Sequence, residues 1–172
     1  MNLRLIFLLL ALSAAWVSAA DQPATVGRPP AGVPNGASQF KGKWYYVYME
    51  KTKIPWHAAK QRCEVLGGQL AITADKETWD FVHGLINKAH ESAPFTGAGV
   101  WLGATRENAQ GQWQWLDGRP FKFTAWNKGK PDNATKKDFY LAVQGGWDDF
   151  GENGYWSKSS QIVGFVCEWK GK

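Results

Sequence analysis

The period of the apolar positions changes several times along this chain, and each change marks a boundary. After the short basic start Met1 to Arg4, a compact apolar run extends from Leu5 to Leu12, and Ser18-Ala19-Ala20 supplies small residues just before Asp21. From Asp21 to Gln39 there is no periodicity, only Pro, Gly and Ala, with prolines at 23, 29, 30 and 34. Lys43-Trp44-Tyr45-Tyr46-Val47-Tyr48-Met49 is dense in strand-forming aromatics and predicts the first strand. Beyond Pro55, the residues Trp56, Ala59, Cys63 and Leu66 recur at spacings of three and four, the signature of one helical face, which Gly67-Gly68 terminates. A second amphipathic helix is predicted from Lys76 to about Ala89, with Trp79, Val82, Leu85 and Ile86 as its apolar stripe. Asp75 and Glu77 complement the positive end of its dipole.

After Ala93 the pattern shortens. Strands are predicted at Gly99 to Ala104, Trp113 to Leu116, Phe139 to Val143, Trp147 to Asp149 and Ile162 to Trp169, separated by Gly, Asn, Asp and Pro. Strands and helices are segregated rather than alternating, so the predicted class is α+β with antiparallel pairing. No internal repeat is visible.

The opening run reads as a secretory signal over residues 1–20, because Leu5 to Ala20 is shorter than the roughly 18 residues a spanning helix needs. The expected organisation is then a signal at 1–20, a Pro/Gly/Ala-rich leader at 21–39 and one domain at 40–170. Localisation would be secreted, in an extracellular or periplasmic space, with no membrane insertion once the signal is cleaved. Loss of the signal removes only Arg4 from the 20 basic residues, against 15 acidic ones, so the net charge moves from +5 to +4. Lys51, Lys60, Lys88, Arg106, Lys122 and Lys136 are dispersed as a solvated surface would have them, which argues against a nucleic-acid partner. The chain has two cysteines, and in an oxidising compartment an even count favours the one available disulfide, Cys63 to Cys167.

Of the 11 tryptophans, ten follow the signal. Trp56, Trp79, Trp101, Trp113 and Trp115 fall at strand or helix positions that assign them to the core, and Trp156 is the one expected to be exposed. His57, His83 and His90 lack zinc-like spacing and read as surface or interface residues. No Gly-x-Ser-x-Gly elbow or phosphate loop is present. Asp148 and Asp149 are adjacent on a strand and point to opposite faces, which argues against an acid/base pair. The chain is expected to be non-enzymatic.

Several segments taken in order resemble the C-type lectin domain family over about Phe40 to Trp169. Trp56-His57-Ala58-Ala59-Lys60-Gln61-Arg62-Cys63 and Gly67-Gly68-Gln69-Leu70-Ala71 resemble the family's first helix and following turn. Val100-Trp101-Leu102-Gly103 resembles its central strand motif. Trp113 to Gly118, Trp126, Pro131 and Phe165-Val166-Cys167-Glu168 complete the series. The resemblance implies two helices, two small antiparallel sheets and a long loop region that carries the ligand. It also implies a calcium ion bridging protein and glycan, held by Glu-Pro-Asn or Gln-Pro-Asp, a downstream Glu and a Trp-Asn-Asp strand.

On this chain the tripeptide is Lys130-Pro131-Asp132, the downstream acid is Asp138 and the strand is Trp147-Asp148-Asp149. A rival register would use Trp156-Ser157-Lys158, but Phe139 to Val143 with Gly145-Gly146 leads more naturally into a hairpin ending at Trp147. The candidate ligand-binding set is therefore Lys130, Asp132, Asp138, Asp148 and Asp149, and the four aspartates are the metal ligands if calcium binds. Four carboxylates at about 5 Å would repel by about 3 kcal/mol per pair at an effective dielectric of 20. Either calcium or the Lys130 ammonium would then sit among them; alternatively, each acid caps a turn or faces solvent. Asn133-Ala134-Thr135 has the form of a glycosylation sequon. The expected function is a recognition module for glycan through the loop region between about Thr105 and Ser160, or for protein without calcium.

Overall fold

The computed structural model describes residues 29–92, 98–106, 110–157 and 160–171; the expected signal and most of the leader lie outside them. Two helices, α1 (Trp56–Val65) and α2 (Lys76–Ser92), accompany nine strands. These are β1 (Ser38–Phe40), β2 (Lys43–Met49), β3 (Gln69–Leu70), β4 (Ala98–Thr105), β5 (Gln114–Trp115), β6 (Tyr140–Gln144), β7 (Gly146–Phe150), β8 (Tyr155–Ser157) and β9 (Ser160–Lys170). The α+β class and both helices follow the periodicity. The two expected small sheets, however, are joined into one, with main order β1-β2-β9-β4-β6-β7. β4 makes the join by pairing antiparallel with β6 and parallel with β9. The long chain between β4 and β9 permits this parallel alignment, which a short hairpin could not.

α1 has no side-chain cap at Pro55. Instead the Trp56 amide donates to the Glu152 carbonyl at 2.9 Å, tying the start of the helix to the far end of the chain. The helix ends where Gly67 takes a φ of 76°, open only to residues that tolerate the left-handed region. α2 is capped conventionally: the Asp75 carboxylate accepts from the Thr78 amide at 2.9 Å and from the Thr78 hydroxyl at 2.8 Å. The Lys41 ammonium completes this cap at 2.9 Å.

Two apolar clusters fill the interior. One gathers Trp44, Trp56, Trp101, Phe165 and Trp169 around the Cys63–Cys167 disulfide, whose Cα atoms are 5.5 Å apart. The other packs α2 against β4 and β7 through Trp79, Val82, Leu102, Trp115 and Trp147. Trp113 is only partly buried against this second cluster, stacking near Phe121 and Trp126 with centroids at 6.0 and 5.1 Å. The side chain of Trp156 lies outside the described residues. No helix among the described residues is long and apolar enough to cross a membrane.

Candidate functional site

The long loop region is hung from Trp147. This indole is fully buried and meets Trp79, Trp115, Phe123 and Trp126 edge to face, with centroids 5.6 to 5.7 Å apart. The Trp147 amide donates to the Ala125 carbonyl, and its carbonyl accepts from the Asn127 amide, each at 2.9 Å. Asn127 then clasps the β6–β7 turn: its side-chain oxygen accepts from the Gly146 amide at 2.9 Å, and its side-chain nitrogen donates to the Gln144 carbonyl at 3.1 Å. The next turn, with Gly129 at a φ of 83°, returns the Lys130 amide to the Asn127 carbonyl at 3.0 Å. The Lys130–Pro131 peptide is cis. In this way the loop carrying Lys130 lies beside β7, which carries Asp148 and Asp149.

The β6–β7 hairpin is the one expected from Gly145-Gly146, with Val143 opposite Trp147, Ala142 opposite Asp148 and Leu141 opposite Asp149. All five candidate residues come close together, but in two groups. Asp132, Asp138 and Asp149 each place one carboxylate oxygen within 4.8 Å of the others. Asp148 stands apart from them and meets Lys130, whose ammonium lies 2.9 Å from Asp148 and 3.2 Å from Asp132. Strand alternation produces this division, since adjacent residues of β7 face opposite ways.

The trio is held against its own repulsion by donors from the protein. Asp149 accepts from the Asp132 amide at 3.0 Å and the Asn133 amide at 2.7 Å. Asp138 accepts from the amide and hydroxyl of Thr135, and its own amide donates to the Asn133 side chain at 3.0 Å. Asp132 accepts from the Ala134 amide at 3.2 Å as well as from Lys130. A second cation is Arg106, which reaches Asp149 at 3.4 Å and the Asp138 carbonyl at 3.0 Å. This corrects the expectation that Arg106 belongs to the solvated surface charge, because its side chain is only 9% exposed. Its 43-residue separation from Asp149 left no local pattern by which to find it.

Burial and charge compete at the Lys130 pair. Burial alone would lower the Lys130 pKa, but the Asp148 and Asp132 carboxylates outweigh it and the ammonium is held above its ordinary value. At Asp148 the balance reverses: burial pushes its pKa up, and Lys130 only partly offsets that. The two directions differ because Lys130 has two carboxylate partners while Asp148 is 12% exposed. Asp148 is thus a costly charge that Lys130 makes tolerable.

Calcium takes six to eight oxygen ligands with lone pairs available to it. Here each carboxylate oxygen of the trio already faces an amide, a hydroxyl or a cation. An ammonium, which only donates, stands between Asp132 and Asp148. The three carboxylates converge closely enough to hold a cation, but three aspartates with a lysine in the fourth ligand position fall short of the oxygen set that calcium takes.

Comparison with known proteins agrees with this architecture. The CD209 antigen of Nomascus concolor is 28% identical over 113 residues, covering 64% of this chain and 26% of its own length. The hepatic lectin of Gallus gallus is 31% identical over 114 residues, covering 64% of this chain and 50% of its own length. This chain therefore spans a quarter to a half of the curated relatives named here. Among solved structures, the cow C-type carbohydrate-recognition domain of CD23, crystallised with a GlcNAc2Man3 oligosaccharide, superposes with a TM-score of 0.64 at 24% identity, over 81% of this chain and 96% of that one. Residues 52–169 match the family described as Lectin C-type domain, so the chain belongs to the C-type lectin domain family.

Proposed function

We propose that this chain is a secreted, non-enzymatic recognition module that binds glycan through its long loop region without calcium at the Lys130 loop. The observation that carries this proposal is the Lys130 ammonium bridging Asp132 and Asp148, a protein cation standing where the family places a metal ligand. Lys130, Asp132, Asp138, Asp148 and Asp149 then form an ion-paired frame that shapes the ligand surface. Family membership and the likeness to the CD23 carbohydrate-recognition domain, crystallised in the presence of an oligosaccharide, support glycan as the ligand class. A hydrolytic role is disfavoured because the Asp149 side chain is inaccessible and Asp148 is committed to Lys130, leaving neither free to serve an external substrate. The Cys63–Cys167 disulfide supports an oxidising, extracytoplasmic location.

Screening on a glycan array with and without chelator tests this. Binding that survives chelation supports it, whereas binding abolished by chelator and restored by calcium overturns the metal independence. A second reading, a protein-binding module that keeps the fold, is favoured by the same sealed loop. It takes over if no glycan is retained under either condition while affinity capture recovers a protein partner that simple sugars do not displace.

A further inference from the structure

The Lys130 loop satisfies its polar groups internally, but a neighbouring groove does not. Of about 480 Å³, it is lined by Lys137, Phe139, Tyr140, Glu152, Asn153 and Tyr155 among others, within the size range of small-ligand sites. It adjoins the acidic trio: a side chain at Gly151, on its wall, would come within 3.6 Å of the Asp138 carboxylate.

The floor is fixed and the rim is only loosely held. The Tyr140 ring packs against Trp56 with centroids 5.0 Å apart, and its hydroxyl shares a hydrogen bond with His57 Nε2 at 3.3 Å. Tyr155, by contrast, is 50% exposed, unusual for a large ring among the described residues. The Lys53 ammonium lies over its ring at 5.5 Å from the centroid. The Glu152 carboxylate has only a distant contact with His57, at 4.0 Å. Among the described residues, the side chains of Lys137 and Asn153 make no hydrogen bond or ion pair.

An exposed aromatic ring surrounded by a carboxylate acceptor, an amide that donates and accepts, and an ammonium donor matches one class of ligand. A pyranose presents an apolar C–H face to stack on a ring and equatorial hydroxyls that both donate and accept at its edge. A purely apolar ligand would leave the rim groups unpaired, and a phosphate or sulfate would meet Glu152 unfavourably. We propose that this groove is a metal-independent saccharide subsite, resting on the glycan reading above, in which Tyr155 stacks on a pyranose ring and Glu152, Asn153 and Lys137 bind its hydroxyls.

The test is an NMR titration of the ¹⁵N-labelled protein, in chelator, with the methyl glycosides of mannose, galactose, glucose and N-acetylglucosamine. The result expected is movement of the Glu152, Asn153 and Tyr155 amides with at least one sugar. Tyr155→Ala should weaken that binding at least tenfold, while Tyr155→Phe, which keeps the ring, should stay within about threefold. Near-UV circular dichroism checks that both variants keep the native packing. Binding that moves other residues, or that Tyr155→Ala leaves intact, overturns the groove but leaves the glycan reading standing. If neither these sugars nor any arrayed glycan binds, the glycan reading fails and the subsite with it.

Discussion

The Lys130 ammonium meets the Asp148 carboxylate at 2.9 Å while also reaching Asp132 at 3.2 Å, so one lysine joins a loop to strand β7. Their side chains are 23% and 12% exposed, dry enough for the interaction to matter and wet enough to moderate it.

Replacing Lys130 by Met removes the partner of a carboxylate whose pKa burial already raises. The folded Asp148 pKa should rise further, and the penalty of its charge is present above that value and relieved below it. Expected is a loss of roughly 1–3 kcal/mol at pH 7, less than full burial would give. Urea denaturation should show the deficit narrowing as pH falls towards 4. An equal deficit at both pH values would mean that the lysine contributes packing alone.

Lys130→Glu exchanges the built-in cation for another carboxylate beside Asp132 and Asp148. Calorimetric titration after chelator treatment should find no calcium binding in the wild type. The variant should bind with a dissociation constant on the order of 10⁻⁴ to 10⁻³ M, as weak extracellular sites do. Calcium uptake by the wild type would contradict the assignment of Lys130 as the site's cation.

Trp147→Ala should cost about 3–5 kcal/mol, the range for emptying a buried tryptophan position. Trp147 touches α2 through Trp79 and the loop through Trp126, so the loss should be larger than for Trp113→Ala, whose ring is only partly buried. Paired thermal unfolding scans of the two variants decide this, and equal losses would show that Trp147 is not the principal anchor.

Asp75 supplies a pH-dependent contribution. Burial alone would raise its pKa, but the Thr78 amide, the Lys41 ammonium and the Thr78 hydroxyl together hold it at about 2. Its unfolded value is about 3.9, so the stabilisation is complete above that and lost as pH falls towards 2. Asp75→Ala should lower stability by about 1 kcal/mol at pH 7 through loss of the helix cap. Acid titration of both proteins should bring their unfolding midpoints together, and a gap that persists at pH 2 would remove the charge from the explanation.

The helices were legible because local spacing decides them: Trp56, Ala59 and Cys63 are buried on α1, as are Trp79, Val82 and Ile86 on α2. The hairpin that aims Asp148 and Asp149 was legible too, since Gly145-Gly146 prescribes its turn. What escaped was set by contacts distant in sequence. The strands β1, β3 and β8 have two or three residues each, too few for a period, and exist through the neighbours they pair with. Arg106 looked like any dispersed surface charge, and only the folded chain brings it to Asp149. The groove beside Tyr155 has the same origin, because its walls are two turns that sequence does not place together.

The disulfide belongs to one apolar cluster only; the other, around Trp147, has no covalent tie. The domain is therefore welded on one face of its sheet and merely interlocked on the other. Under heat, denaturant or tension the Trp147 face should loosen first, and the Lys130 loop hangs from that face.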